Sequence, residues 1–204
     1  MNKSRLEAFS DGVFAVAITL LALDLAVKGP DSPHPLAWQL GHAWPSYVAY
    51  LISFLTIGII WVNHHATMNN VRVVNRTLLY LNLVLLAVVV AIPFATSTMA
   101  EYLSKDNYSA RVAAALYASV FEAMGLAFAL LFEWILRHDN ALHDPMPAAV
   151  KNRARLRFYG GQILYVIAIA VAFLNAQVAV GLCAVTAFYY LFERSGPVPG
   201  LDDG

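Results

Sequence analysis

Residues 5–25, RLEAFSDGVFAVAITLLALDL, decide the fold of this chain. They form an apolar run broken early by a Ser-Asp pair, near the roughly 20 residues that a helix needs to cross a bilayer. Ser4 and Glu7 have the S-x-x-E spacing of a capping box, which predicts a helix starting at Arg5. Successive helical residues advance by about 100°, so each side chain can be placed around the axis relative to Val16. Leu20, Leu23 and Val27 fall within about 40° of it, and Thr19 lies at the stripe's edge, about 60° away. Asp11 falls about 140° away, close to the opposite side. A helix sorts a carboxylate from leucines only when its two sides meet different surroundings. The Asp11 side is read as facing the chain's own helices. The Val16/Leu20/Leu23 stripe then faces lipid, a partner subunit or a pore.

Composition supports a membrane setting. Of 204 residues, 60% are hydrophobic and 13% charged, where soluble domains sit at about half and about a quarter. The expectation is an all-α, polytopic membrane protein with one compact domain over residues 1–194 and a disordered C-terminal tail, residues 195–204. A formal net charge of zero argues against nucleic acid as a partner. The lone cysteine, Cys183, can form no intrachain disulfide. The first apolar run is too long for a signal-peptide core, contains Asp11 and lacks an A-x-A site after it.

Six apolar segments follow from hydropathy, at about residues 6–27, 46–68, 77–99, 108–136, 158–174 and 178–192. The loop after the first contains the helix breakers Pro33, Pro35 and Gly41. Six spans put both termini on one side. That side collects Lys3, Arg5, Arg72, Arg76, Arg137, Lys151, Arg153, Arg155, Arg157 and Arg194, against Lys28, Lys105 and Arg111 on the other. The positive-inside rule therefore predicts cytoplasmic termini. No internal repeat, no matched half-helices and no carbonyl-filter stretch are visible.

Few residues invite chemistry. Asp11 lies two turns into its helix. It reads as a carboxylate tied to the second span through Trp61, His64 or His65, with direct ion contact as the alternative. Trp61 and His64 are spaced i, i+3 and share a face, which suits a polar network with Asp11 and Asn82. His64 and His65 point about 100° apart on a helix, and no H-E-x-x-H pattern or cysteine cluster accompanies them, so no metal or cofactor is expected. Glu122, in the middle third of the fourth span, must be protonated, paired or beside water. It reads as a proton or cation site, or as a neutral carboxyl bonded to a neighbouring helix. Glu133 and Arg137 have ion-pair spacing. The cluster Lys151, Arg153, Arg155 and Arg157 suits anionic headgroups. No nucleophile elbow, P-loop or dinucleotide fingerprint occurs, and adjacent Ser10 and Asp11 diverge too far to act as nucleophile and base, which argues against an enzyme.

The arrangement R-x-x-x-F-S-D (Arg5, Phe9, Ser10, Asp11) resembles the start of the transmembrane protein 175 family, potassium channels of animal endolysosomes and bacterial membranes. W-x-N-H-H (Trp61, Asn63, His64, His65), L-N-L around Asn82 and I-P-F around Pro93 are similar to its bacterial branch. The resemblance spans the whole membrane domain and implies a homotetramer of six-helix subunits in the cell membrane, with the first helices surrounding a pore. It implies a constriction of apolar side chains at Val16, Leu20 and Leu23, with Thr19 nearby, and potassium or other monovalent cations as the permeant species. Val16 stands where isoleucine is common, and its shorter side chain would widen that ring. A proton-coupled transporter using Glu122 and the Asp11/His64 region, or a non-transporting membrane scaffold, are the competing readings.

Overall fold

The computed structural model describes residues 2–25, 29, 31–105, 107–138, 140, 142, 143 and 147–192. All regular structure among them is helical: α1 (Lys3–Leu21), α2 (Leu36–His42), α3 (Trp44–Asn69), α4 (Arg76–Tyr102), α5 (Tyr108–Arg137), α6 (Ala148–Ala172) and α7 (Ala176–Phe192). Three helical stretches, Trp44–Asn69, Arg76–Lys105 and Tyr108–Arg137, are long and apolar enough to cross a membrane. Tyr159–Ala172 and Ala176–Leu191 are shorter apolar stretches. The tail from residue 193 and the side chains of Arg153 and Arg157 lie outside the described residues, as does Lys28.

Several boundaries differ from the sequence expectation. Helix α1 begins at Lys3, because the Asn2 side chain caps it by accepting from the Ser4 amide at 3.4 Å. Ser4 is therefore inside the helix, and Glu7 lies 3.7 Å from Lys3 one turn back instead of closing a capping box. The helix ends at Leu21 and tightens into a 3-10 turn, Ala22–Asp24, short of the expected residue 27. The Pro-containing loop holds one extra short helix, α2, which leads almost directly into α3. There Pro45 sits in the first turn, where its missing N–H has no partner to lose. Helix α6 starts ten residues earlier than hydropathy suggests, since its first turns are charged but still helical.

Asparagine also starts three further helices, α4, α5 and α7. Asn75 accepts from Leu78 N at 2.9 Å, Asn107 from Ala110 N at 3.0 Å and Asn175 from Val178 N at 3.0 Å. Each satisfies an amide that the first turn leaves unpaired. Hydroxyls inside the apolar helices turn back on their own backbone. Thr56 donates to Ile52 O, Thr96 to Ile92 O and Thr186 to Leu182 O, all within 2.8 Å. A polar group among apolar neighbours needs such a partner.

Helix α1 packs on α3 and α4; α4 packs on α3 and α5; α5, α6 and α7 form a second group joined to the first through α4 and α3. The core runs through Phe14, Leu21, Ile57, Leu85, Ile92, Phe121 and Leu131. A hydroxyl cluster sits inside it: Ser53 Oγ lies 2.7 Å from Thr96 Oγ1 and 2.9 Å from Tyr117 Oη, and Tyr117 donates to Ala49 O at 3.2 Å. At one end of the bundle, Val71 and Leu142 pair as an isolated bridge, and His143 N donates to Asn70 O at 3.0 Å. This contact ties the α3–α4 link to the α5–α6 connection. Close helix approach in the second group depends on glycine. A Cβ at Gly125 would overlap the Gln162 amide, and one at Gly161 the Tyr190 ring.

Candidate functional site

Helix α1 is two-sided. Leu6, Ser10, Phe14, Ala17 and Leu21 are buried against α3 and α4. Phe9, Val16, Leu20 and Leu23 are exposed, Val16 to 55% and Leu23 to 72%. Thr19 is exposed among them and donates its hydroxyl to Val16 O at 2.9 Å. With its proton engaged, the Thr19 oxygen presents only lone pairs outward. Leu23 sits on the 3-10 turn, which carries the apolar stripe beyond the α-helix. Arg5 is exposed at the start of α1.

At its first residue α1 is tied to the end of α3 by Lys3 Nζ, which donates to Asn69 O at 3.0 Å, and farther along two separate hydrogen-bonded links hold its buried side. In the first, Trp61 Nε1 on α3 donates to Asp11 Oδ1 at 2.8 Å, at the edge of the interface. In the second, Ser10 Oγ donates to Leu6 O at 2.9 Å and accepts from Asn82 Nδ2 on α4 at 3.0 Å. Asn82 Oδ1 in turn lies 2.7 Å from His64 Nε2 on α3. Ser10, His64 and Asn82 are all essentially inaccessible. Since Asn82 donates to Ser10 with its nitrogen, its oxygen is the acceptor and His64 carries the proton on Nε2. Phe14 packs on the His64 ring at 5.5 Å between centroids.

Of the three residues considered as partners for Asp11, the structure brings Trp61 to it. His64 belongs to the Asn82 link instead, and His65 is exposed, with its ring 6.1 Å from Trp61. The separation follows from geometry: adjacent histidines cannot both face the same groove. Among the described residues no three His, Cys, Asp or Glu side chains converge to hold a metal ion.

Glu122 takes no part in these links; it is part-buried on α5 beside Gln162 of α6. With the amide nitrogen turned toward the carboxyl group, Gln162 donates to both Glu122 oxygens at 2.9 Å. Glu133 bridges two cations, Arg137 at 2.7 Å on its own helix and Arg155 of α6 at 2.8 Å. Gln162 did not emerge from the sequence reading. Its signal is a long polar side chain next to the pair Gly160-Gly161 inside an otherwise apolar run. The Ser53, Thr96 and Tyr117 cluster carries no comparable signal, because most hydroxyls in apolar helices satisfy themselves locally.

Residues 5–93 match the family described as the endosomal/lysosomal potassium channel TMEM175. The matched segment includes every member of the Asp11–Trp61 and Ser10–Asn82–His64 links. A curated potassium channel of Streptomyces collinus is 48% identical over 98% of this chain and 96% of its own length. One from Chamaesiphon minutus is 37% identical over 94% of each. The crystal structure of a lysosomal potassium-selective channel TMEM175 homolog from Chamaesiphon minutus superposes with a TM-score of 0.81 at 35% identity, over 95% of this chain and 98% of that one.

Proposed function

The chain belongs to the TMEM175 family, and from that premise we propose that it is a multi-pass potassium channel, not an enzyme, whose permeant ion is K+ and which needs no cofactor. The finer reading is a homotetramer of six-span subunits over residues 1–194. Its α1 helices surround the conduction path, and both termini face the cytoplasm of the cell membrane. Helix α1, 19 residues or about 28 Å at ~1.5 Å per residue, serves as the first span although it carries charge.

One observation carries the pore assignment. The apolar stripe Val16, Leu20 and Leu23 is left uncovered while the opposite side of α1 is fastened by hydrogen bonds to α3 and α4. A helix fixed on one side presents the other in a defined direction, which a constriction requires. Four such stripes make an apolar ring. A cation crossing it sheds water with little replacement, and the larger, more weakly hydrated potassium ion loses less than sodium. Thr19 oxygens, with lone pairs outward, replace part of the lost hydration.

The test is ion flux from potassium-loaded liposomes into sodium buffer, with a protonophore to relieve charge build-up. Leu23→Trp is expected to reduce flux at least tenfold, and Leu23→Ser to raise it. Equal flux in wild type and both variants removes α1 from the conduction path. Thr19→Ala is expected to lower the potassium-to-sodium permeability ratio, read from reversal potentials. An unchanged ratio removes Thr19 from the selectivity mechanism.

A further inference from the structure

A polar site sits in the second helix group, away from α1. Glu122 of α5 lies against Gln162 of α6, an amide that is nearly inaccessible at 7% exposure. Gly125, one turn along α5, leaves the space that the amide fills. On its other side Gln162 lines a cavity of about 30 Å³ between α3, α5, α6 and α7. That volume holds about one water molecule. The cavity's polar lining is Thr56, Asn63, Gln162, Tyr165 and Tyr190, enough partners for such a water.

The amide can face the carboxyl group in two ways without changing shape. With Nε2 toward Glu122 it donates to both oxygens, which matches a carboxylate. Turned by 180°, it presents Oε1 to the same oxygens, which suits only a carboxylic acid that donates its proton. In the first orientation the opposite end, Oε1, meets donor groups. In the second it presents Nε2 there, next to the cavity that Gln162 lines, whose hydroxyls and room for a water supply acceptors.

We propose that Glu122, Gln162 and the adjoining cavity form a proton-binding site in each subunit, off the α1 face, in which the Gln162 amide turns over as the carboxyl group gains or loses its proton. The carboxylate takes one proton from a hydronium ion and water is returned; release reverses this. Tyr165 on α6 and Tyr190 on α7 line the cavity, Cys183 on α7 and Tyr117 on α5 lie near Tyr165, and α3 brings the buried His64, one position after the lining residue Asn63. The Glu133 to Arg155 ion pair is eleven residues farther along α5, about 16 Å away. Glu122 is thus the one carboxyl group in the middle of this seam among the described residues.

The experiment is infrared difference spectroscopy of the purified full-length protein in lipid, acidic minus alkaline buffer. The wild type is expected to show a carboxylic acid carbonyl band that Glu122→Gln removes. Gln162→Met, which keeps the carboxyl group and removes the amide, is expected to keep the band but displace its titration midpoint and abolish the accompanying side-chain amide signal. Identical difference spectra for wild type and Glu122→Gln overturn the proposal. If Glu122→Gln fails to assemble, Gln162→Met decides, and an unchanged midpoint and amide signal overturn it. The readout needs no ion flux, so its failure is distinct from failure of the channel assignment.

Discussion

Asn82 is the residue on which the α1 interface turns. Its amide spends the nitrogen on Ser10 and the oxygen on His64, so a single side chain joins α4 to α1 and α3. Asn82→Leu, close in size, leaves the buried His64 Nε2–H without its acceptor, while Ser10 loses one donor and keeps its bond to Leu6 O. A buried donor left unpaired costs about 1–3 kcal/mol. The expected result is a marked fall in the thermal midpoint of the detergent-solubilised protein, followed by size-exclusion chromatography after heating. A midpoint within experimental scatter of the wild type means that water replaces the lost bonds. Asp11 differs because Trp61 donates to it at the edge of the interface. Asp11→Asn keeps an acceptor oxygen but gives up the charge, which makes such bonds about twice as strong as neutral ones. The expected effect is poorer assembly with unchanged ion preference among channels that do assemble. A stable assembly with altered permeability assigns Asp11 to ion contact instead.

Between elements, glycine decides how closely α5, α6 and α7 approach. Gly125 makes room for Gln162 and Gly161 for Tyr190. Gly161→Ala drives a methyl group into the Tyr190 ring, and overpacking of this kind costs about 1–3 kcal/mol. The thermal midpoint should fall, and Gly161→Ala combined with Tyr190→Leu should recover part of it. If the double variant falls by the sum of the single effects, the two residues do not share one site. Hydropathy placed the starts of α4, α5 and α7 within two residues, at 77, 108 and 178 against Arg76, Tyr108 and Ala176, although the caps Asn75, Asn107 and Asn175 that fix them were not singled out. The start of α1 was misread. S-x-x-E spacing does not reveal that Asn2, two residues upstream, already caps the helix. The start of α6 was missed for a different reason: hydropathy marks where a helix becomes apolar, and α6 is helical through its charged turns before that point.

For the whole molecule, the amino-acid sequence by itself determined the all-helical class, the membrane setting, the family resemblance and the two-sided character of α1. The class, the membrane setting and the two-sided α1 follow from composition and a 3.6-residue period, and the resemblance from short motifs such as Arg5, Phe9, Ser10 and Asp11, all of them local properties. Sequence also put Trp61, His64 and Asn82 forward as partners in one network with Asp11. Only the tertiary structure decided that they divide into two links, Trp61 with Asp11 and His64 with Asn82 and Ser10. It also decided that Gln162 meets Glu122 across the α5–α6 seam. Such pairings depend on which helix faces which, and on axial offsets set by side-chain volume. Helical periodicity gives the angle of a residue on its own axis, and the packing of neighbouring helices supplies the partner.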